Sequence, residues 1–243
     1  MDENIFDSWL CNQYIAHRGF HDEQNPENSL GAYERAIQNG YAIELDVRLI
    51  SDGTVIVLHD DSLNRVCGKD KYASQLRKED LPSCKLFGTE YTIPTFEEVL
   101  KFVDGRTPLL IEIKQLEKIG ELEKKVYELL KNYTGKYAIQ SFNPFTLQWF
   151  KNHAPEIWRG QLSCFFKGEK MSIVKKGLLK RLSLNKIGNP DFISYHAEDL
   201  PNKWVRKHEN LPILAWTVNS QQKYLRAVQY SDNIIFEDFV PKI

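Results

Sequence analysis

The sequence predicts an α/β barrel, and three observations support this fold class. The chain has 243 residues, 42% of them apolar, which is enough for one large domain of the size that such barrels form. Short apolar runs typical of strands alternate with stretches in which apolar residues recur at helical spacing, and this alternation indicates a parallel sheet with right-handed crossovers. About eight such strands suit a closed (β/α)8 barrel better than an open sheet.

Turn-forming residues separate the predicted elements. Asn39-Gly40 closes a helix after the first strand, and Asp52-Gly53 turns the chain from the second strand into the third. The alternation of predicted strands and helices is interrupted at 61–92. We interpret this segment as a small insertion after the third strand, within a single barrel domain spanning 1–243. The predicted strands lie at 14–16, 43–49, 54–58, 109–114, 137–140, 161–165, 192–195 and 212–218, and the chain finishes with a further apolar segment at 233–238.

Composition excludes several classes of protein. Charged residues make up 27% and aromatic residues 12%, so the chain is not a disordered or low-complexity sequence. With 32 basic and 33 acidic side chains, it has no overall attraction to nucleic acid or to an anionic membrane. No apolar run approaches the roughly 18 residues of a transmembrane segment. The first seven residues are acidic where a signal peptide would be basic, and we therefore expect a cytoplasmic protein.

The four cysteines carry no sign of a metal site. They lie far apart and form no C-x-x-C pair, so neither a zinc site nor a disulfide framework is expected. We expect free and mostly buried thiols at Cys11, Cys67, Cys84 and Cys164.

Charged residues interrupt the apolar strands at equivalent positions on the first four strands. Two carboxylates share one face of the second strand, a carboxylate and a lysine share one face of the fourth, and a histidine follows both the first and the third. Active sites of α/β barrels lie at the carboxyl ends of the strands, so we expect these groups at one mouth. They are His17, Arg18, Glu44, Asp46, His59, Glu112 and Lys114.

Each of these residue types has a chemical use. Converging carboxylates without cysteine suit a hard cation such as Mg²⁺ or Ca²⁺. Arginine and lysine suit a phosphate, and two histidines can serve as general base and general acid. A single pair of strand carboxylates is more often a salt-bridged face, but recurrence over four strands favours a site. The combination indicates phosphodiester cleavage.

A basic stretch at 167–186 holds seven Lys or Arg residues and one acid, with aliphatic residues between them. Two interpretations remain open, a solvated barrel helix and a helix that lies on a membrane surface.

The succession H-R-G, P-E-N-S, E-L-D-V, S-D-G-T-V-I-V-L-H-D, I-P-T-F-E-E-V-L, I-E-I-K and W-T-V-N resembles the glycerophosphodiester phosphodiesterases, over about 15–238. The resemblance implies a TIM (β/α)8 barrel that hydrolyses small glycerophosphodiesters to glycerol 3-phosphate and an alcohol with a divalent cation. It also implies roles for individual residues. The acid and base are His17 and His59, the metal ligands are Glu44, Asp46 and Glu112, and the residues near the phosphate are Arg18, Lys114, Glu27 and Asn28.

Some alternatives remain open at this point. Trp216, on the last full strand, is either a wall of the substrate pocket or a core residue. The sequence does not choose between Mg²⁺ and Ca²⁺, between the two histidines as base, or between water and a glycerol hydroxyl as nucleophile. The alcohol group and the oligomeric state are also open. A phospholipase-D-like enzyme acting on a bulkier phospholipid and a non-catalytic phosphate-binding barrel are the alternative functions.

Overall fold

The computed structural model describes residues 4–114 and 118–242. Residues 1–3 of the acidic N-terminal segment therefore lie outside the described part. Contacts divide the chain into two compact units, one of residues 16–137 and one of residues 1–15 with 138–243. The assignment of 1–243 to a single domain stays a prediction.

The described residues contain nine strands. Their order, β1-β9-β8-β7-β6-β5-β4-β2-β3 with β1 also next to β2, is that of a (β/α)8 barrel with one additional strand. The predicted fold class is thus confirmed. The strands are β1 Ile15–Ala16, β2 Ala42–Leu49, β3 Val55–Val57, β4 Leu109–Ile113, β5 Tyr137–Ser141, β6 Arg159–Ser163, β7 Phe192–His196, β8 Ile213–Val218 and β9 Asn233–Phe236.

Most of the longer helices begin at a side-chain cap. Ser29 Oγ accepts a hydrogen bond from the Ala32 backbone N–H at 3.1 Å, and Thr95 forms a reciprocal capping box with Glu98. The helices of the described residues are α1 Trp9–Asn12, α2 Leu30–Gln38, α3 Asn64–Cys67, α4 Phe96–Val103, α5 Glu121–Leu130, α6 Pro144–His153, α7 Ile173–Lys180, α8 Asn185–Gly188 and α9 Gln221–Ala227.

Within the unit 16–137, β2 pairs with β4 in parallel and with β3 in antiparallel fashion. The expectation that the third strand delivers its histidine from the carboxyl end of a parallel barrel strand was therefore wrong. The reason is the short turn at Asp52-Gly53, where Gly53 adopts φ +81°, because a connection this short joins only antiparallel strands. The hairpin nevertheless brings the residues after β3 beside Asp46, whose carbonyl accepts from the Leu58 N–H at 2.9 Å.

The segment 61–92 contains short helices and isolated bridges but no named strand, as its break in rhythm predicts. It packs on the β2–β3 hairpin through a hydrophobic cluster of its own. That cluster comprises Ile50, Ile56, Leu58, Leu63, Val66, Ala73, Leu76, Leu81, Cys84, Leu86 and Ile93.

In the other unit, β6, β7, β8 and β9 are paired in parallel and in chain order. The final apolar segment is thus a strand beside β8. The observed β6 begins two residues before the predicted 161–165, because Arg159 is buried in the strand with a partner, Asp191, at 3.1 Å.

All four cysteines are free, but only Cys84 is buried, so the expectation of mostly buried thiols was wrong. Among the described residues, no helix combines the length and the apolar character that crossing a membrane requires.

Candidate active site

Three buried carboxylates meet within the unit 16–137. Glu44 and Asp46 lie two residues apart on β2, so their side chains point to the same side of the strand. The parallel register places Glu112 of β4 directly beside Asp46. One carboxylate oxygen from each residue lies within 4.8 Å of the other two. All three side chains are buried, and the predicted triad is therefore brought together.

Two cations partly neutralise this triad. Lys114 Nζ lies 3.2 Å from Asp46 Oδ1 and 2.9 Å from Glu112 Oε1. Arg18 Nε lies 3.5 Å from Asp46 Oδ2, and the Arg18 backbone N–H donates to Glu44 Oε2 at 3.1 Å. Both cationic side chains are themselves largely buried. Mutual pairing is what makes five buried charged groups tolerable at one place, because each alone would lose its hydration without compensation.

The three carboxylates differ in protonation. Burial, reinforced by the charges of Asp46 and Glu112, raises the pKa of Glu44 well above its usual range. Burial also raises the pKa of Glu112, although Lys114 opposes the shift. For Asp46 burial acts in the same direction, but the neighbouring cations, Lys114 foremost, outweigh it and hold the pKa below its usual range. Asp46 is therefore ionised, whereas the surroundings of Glu44 favour its protonated form.

The loop after β1 positions a polar side chain on the triad. Asn28 Nδ2 donates to Asp46 Oδ2 at 3.0 Å, and Asn28 Oδ1 accepts from the Tyr33 hydroxyl of α2 at 2.9 Å. Arg18 and Asn28 both adopt left-handed backbone, with φ of 55° and 57°, which is uncommon for residues other than glycine. Such backbone strain persists where the surroundings fix it and is concentrated at functional sites.

The two predicted histidines lie at the same cluster. His17 Nε2 is 4.0 Å from Glu44 Oε2. His59 Nδ1 forms a 2.7 Å hydrogen bond with Asp60 Oδ1, and the His59 carbonyl accepts from the Arg48 guanidinium at 3.0 and 2.6 Å. Burial lowers the pKa of His59 to about 4, so the ring is neutral at pH 7. With Nδ1–H donated to Asp60, Nε2 is the nitrogen that can accept a proton.

Arg65 and Asp60, to which the sequence analysis assigned no role, connect these groups. Arg65 of α3 donates to both oxygens of Glu27 at 2.6 and 2.8 Å and to Asp60 Oδ2 at 2.7 Å. Glu27 in turn accepts from Arg18 Nη1 at 2.7 Å, and Asp60 holds His59. A single guanidinium therefore links the carboxylate that orients the candidate phosphate-binding arginine to the one that orients a candidate acid/base histidine.

We expect Arg65→Ala to lower kcat by about 10- to 100-fold with a smaller change in KM, because Arg18 and His59 would both lose their fixed orientation. Arg65→Lys should lie between Ala and the natural protein, since a point charge cannot serve both carboxylates at once. The matched control is Arg106→Ala, which removes a half-exposed arginine paired with Glu34 at 2.8 Å. Steady-state kinetics showing equal rates for the two alanine variants would contradict this role.

The donor set fits a hard divalent cation. All three candidate ligands supply oxygen, which Mg²⁺ and Ca²⁺ prefer. Asp46 Oδ1 is buried without a hydrogen bond, although the Lys114 ammonium is near it, so this oxygen has capacity for another positive partner. Burial first, and then the charges of Asp46 and Glu112, raise the pKa of Glu44, so a further positive charge at this place would favour its ionised form.

Trp216 lies in the other unit, on β8, and is not among the residues that the triad brings together. Its ring packs edge-on against Phe142 at 5.5 Å and against His196 at 5.2 Å between centroids. The residue is partly buried, so Trp216 is not a fully buried core residue. Its role as a wall of the substrate pocket stays a prediction.

Comparisons with known proteins agree with the fold. The chain is 33% identical over 160 residues to a glycerophosphodiester phosphodiesterase of Caldanaerobacter subterraneus, and the match covers 61% of this chain and 65% of that protein. It is 31% identical over 232 residues to the Bacillus subtilis protein YhdW, provisionally named a glycerophosphodiester phosphodiesterase, with 86% of each chain covered.

A solved structure of an Oleispira antarctica phosphodiesterase, in complex with the product sn-glycerol-3-phosphate, superposes with a TM-score of 0.75 at 27% identity. The superposition covers 93% of this chain and 92% of that one. The sequence profile of the glycerophosphoryl diester phosphodiesterases matches residues 17–242, nearly the whole chain. The chain therefore belongs to the glycerophosphoryl diester phosphodiesterase family, a family of phosphoric diester hydrolases.

Proposed function

We propose that this chain hydrolyses small glycerophosphodiesters to glycerol 3-phosphate and an alcohol, in a reaction that depends on a divalent cation and on two histidines. The observation that carries the proposal is the convergence of the Glu44, Asp46 and Glu112 carboxylates with Arg18 and Lys114, next to His17 and His59. The product-bound relative supports glycerol 3-phosphate as the product.

Charge balance supports a cation together with a phosphodiester. With all three carboxylates ionised, as cation ligands must be, they contribute −3, and Arg18 and Lys114 contribute +2, which leaves −1. A divalent cation would change this to +1, and one phosphodiester anion would bring the sum to zero. Held by Glu44, Asp46 and Glu112, Mg²⁺ or Ca²⁺ would polarise a phosphoryl oxygen and stabilise the charge that develops in the transition state.

The chain's own residues account for orientation and proton transfer. The Arg18 guanidinium, held by Glu27, would bind phosphate oxygens through its planar fork. We assign the proton acceptor to His59, since its pKa of about 4 and its bond to Asp60 leave a neutral ring with Nε2 available. His17 is then the donor to the leaving alkoxide. The assignment holds for water and for a glycerol hydroxyl as nucleophile, because both must lose a proton.

The function is tested by release of glycerol 3-phosphate from a panel of soluble glycerophosphodiesters, with Mg²⁺, with Ca²⁺ and with chelator. We expect turnover that chelator abolishes and that one of the two ions restores. A detergent-dispersed lysophospholipid is assayed in parallel for the phospholipase-D-like alternative. Turnover of the lipid alone would replace the proposed substrate class. A folded protein without turnover on either substrate would reject hydrolysis in favour of a phosphate-binding barrel.

A further inference from the structure

Helix α7, Ile173–Lys180, presents aliphatic side chains to solvent. Ile173 is 89% exposed, Val174 72% and Leu178 40%, whereas Leu179 is the one buried residue of the helix. A surface helix of a globular protein normally turns its apolar stripe toward the core. In α7 most of that stripe faces outward, and packing within this unit does not explain it.

The same segment concentrates positive charge. Residues 167–186 contain seven Lys or Arg residues and only Glu169 as an acid, a net +6, whereas the whole chain is −1, so the remaining residues sum to −7. Lys167 pairs with Asp199 at 3.3 Å. In the part of the chain that the structure describes, no carboxylate lies within ion-pair distance of Lys170, Lys175 or Lys176. This positive charge is therefore available to an external anionic partner.

The two properties are arranged on one helix surface. At about 100° per residue, Ile173, Val174 and Leu178 fall on one arc, and the Leu179 side chain that anchors the helix lies opposite it. Lys176 and Lys180 border the arc on one side, and Lys175 borders it on the other. An aliphatic arc between lysines is the pattern of a helix that lies in the plane of a membrane interface, where lysine stems bury and ammonium groups reach the headgroups.

Two hydrogen bonds attach the carboxyl end of α7 to the neighbouring strands. Its last carbonyls, those of Leu179 and Lys180, accept from Ser163 Oγ at 3.0 Å and from the Tyr195 hydroxyl at 2.8 Å. Both donors lie at the carboxyl ends of β6 and β7. These hydrogen bonds fix α7 through its own carboxyl end. The two interpretations of this stretch, a solvated barrel helix and a helix that lies on a membrane surface, both stay predictions.

We propose that the α7 face, defined as Ile173, Val174 and Leu178 with Lys175, Lys176 and Lys180, binds the surface of membranes that contain anionic lipid. The exposed aliphatic side chains favour lipid over nucleic acid, because phosphate-backbone recognition uses the charges and leaves aliphatic groups unused. The charge favours an anionic bilayer over a neutral one. This surface lies outside the residues assigned to hydrolysis and does not rest on that function.

Sedimentation with vesicles of phosphatidylcholine alone or with about 30% phosphatidylglycerol tests the proposal. We expect binding to the anionic vesicles that falls steeply as salt is raised. Ile173→Asp should weaken this binding roughly tenfold or more, because it removes aliphatic burial and adds a repelled charge. Lys175→Gln and Lys176→Gln should weaken it roughly fivefold each. The matched controls are Leu225→Asp, at a leucine that is 56% exposed on α9, and Lys124→Gln on α5.

Every variant is also assayed for its melting temperature and for hydrolysis of a soluble diester, which should match the unmodified protein. Three results would overturn the proposal. The first is equal sedimentation of the unmodified protein with both vesicle types. The second is retention of anionic binding by Ile173→Asp while the lysine variants lose it, since a purely electrostatic surface would also take nucleic acid. The third is a dimer in size-exclusion chromatography that Ile173→Asp dissociates, which would assign the face to a second copy of this chain.

Discussion

Replacement of His59 or of His17 by alanine is expected to lower kcat/KM for a glycerophosphodiester about 10³-fold, within the range that general acid–base groups contribute. His59 is neutral and bonded through Nδ1 to Asp60, and the His17 ring lies near Glu44, with Nε2 4.0 Å from Glu44 Oε2. Because neither ring is part of the buried hydrophobic core, the melting temperature should change little. The matched control is His153→Ala, at an exposed histidine of α6.

A substrate with a good leaving group separates the two roles. When p-nitrophenol replaces the alkyl alcohol, the leaving oxyanion no longer needs a proton, so a variant that lacks the general acid should recover most of its rate. On this substrate His17→Ala should be rescued and His59→Ala should not. The opposite pattern would exchange the two assignments, and near-normal rates for both variants on the alkyl substrate would remove the histidines from the mechanism.

The carboxylate cluster was predictable because its signals are local. Two residues at i and i+2 on a strand must share a face, and a parallel neighbour brings its own carboxylate alongside, as the pairing of Asp46 with Glu112 confirms. The Glu27–Arg65 contact spans 38 positions in the sequence. Arg65 also sits in the segment 61–92, where the strand–helix rhythm breaks, so no periodicity marks its direction. Such a residue is found only when the fold brings the two segments together.

The differences between the predicted and the observed fold also have specific causes. The antiparallel β3 was implied by its short Asp52-Gly53 connection, but the barrel pattern, in which every strand is parallel, outweighed this signal in the sequence prediction. The prediction started β6 too late because a charged residue such as Arg159 is typical of a loop. In the structure the Arg159 guanidinium is buried and paired with Asp191, so the strand can begin there. The α7 periodicity marked a helix correctly, but it did not reveal that the apolar side faces solvent.

Asp46→Asn and Glu44→Gln should each lower cation-dependent turnover by about 10³-fold or more. In the presence of chelator, however, the two substitutions should change the stability of the folded protein in opposite directions. The pKa of Asp46 is lowered in the folded protein. At pH values above its pKa in the unfolded chain, about 3.9, the ionised form therefore contributes stability through Lys114 and Arg18. The pKa of Glu44 is raised in the folded protein. As the pH rises above its pKa in the unfolded chain, about 4.3, ionisation of Glu44 therefore costs stability.

At pH 7 we therefore expect Asp46→Asn to lose about 3 kcal/mol, a decrease in Tm of roughly 6 to 12 °C, because it leaves buried cations short of a partner. Glu44→Gln should raise Tm by about 2 °C or more, because it removes a buried carboxyl group whose ionisation costs stability.

Adding Mg²⁺ or Ca²⁺ should reverse the ranking of Glu44→Gln against the unmodified protein. A cation bound by the triad stabilises the folded state of the unmodified chain by mass action, and a variant that lacks one ligand gains less. Glu97→Gln, at an exposed α4 carboxylate paired with Lys101 at 2.7 Å, is the control and should shift neither Tm nor turnover. These differences are measured by thermal unfolding of the unmodified protein and of the three variants, Asp46→Asn, Glu44→Gln and Glu97→Gln. Each protein is unfolded with chelator and with each ion. If Glu44→Gln lowered Tm in chelator, the excess negative charge assigned to the triad would be wrong, and with it the charge argument for a divalent cation.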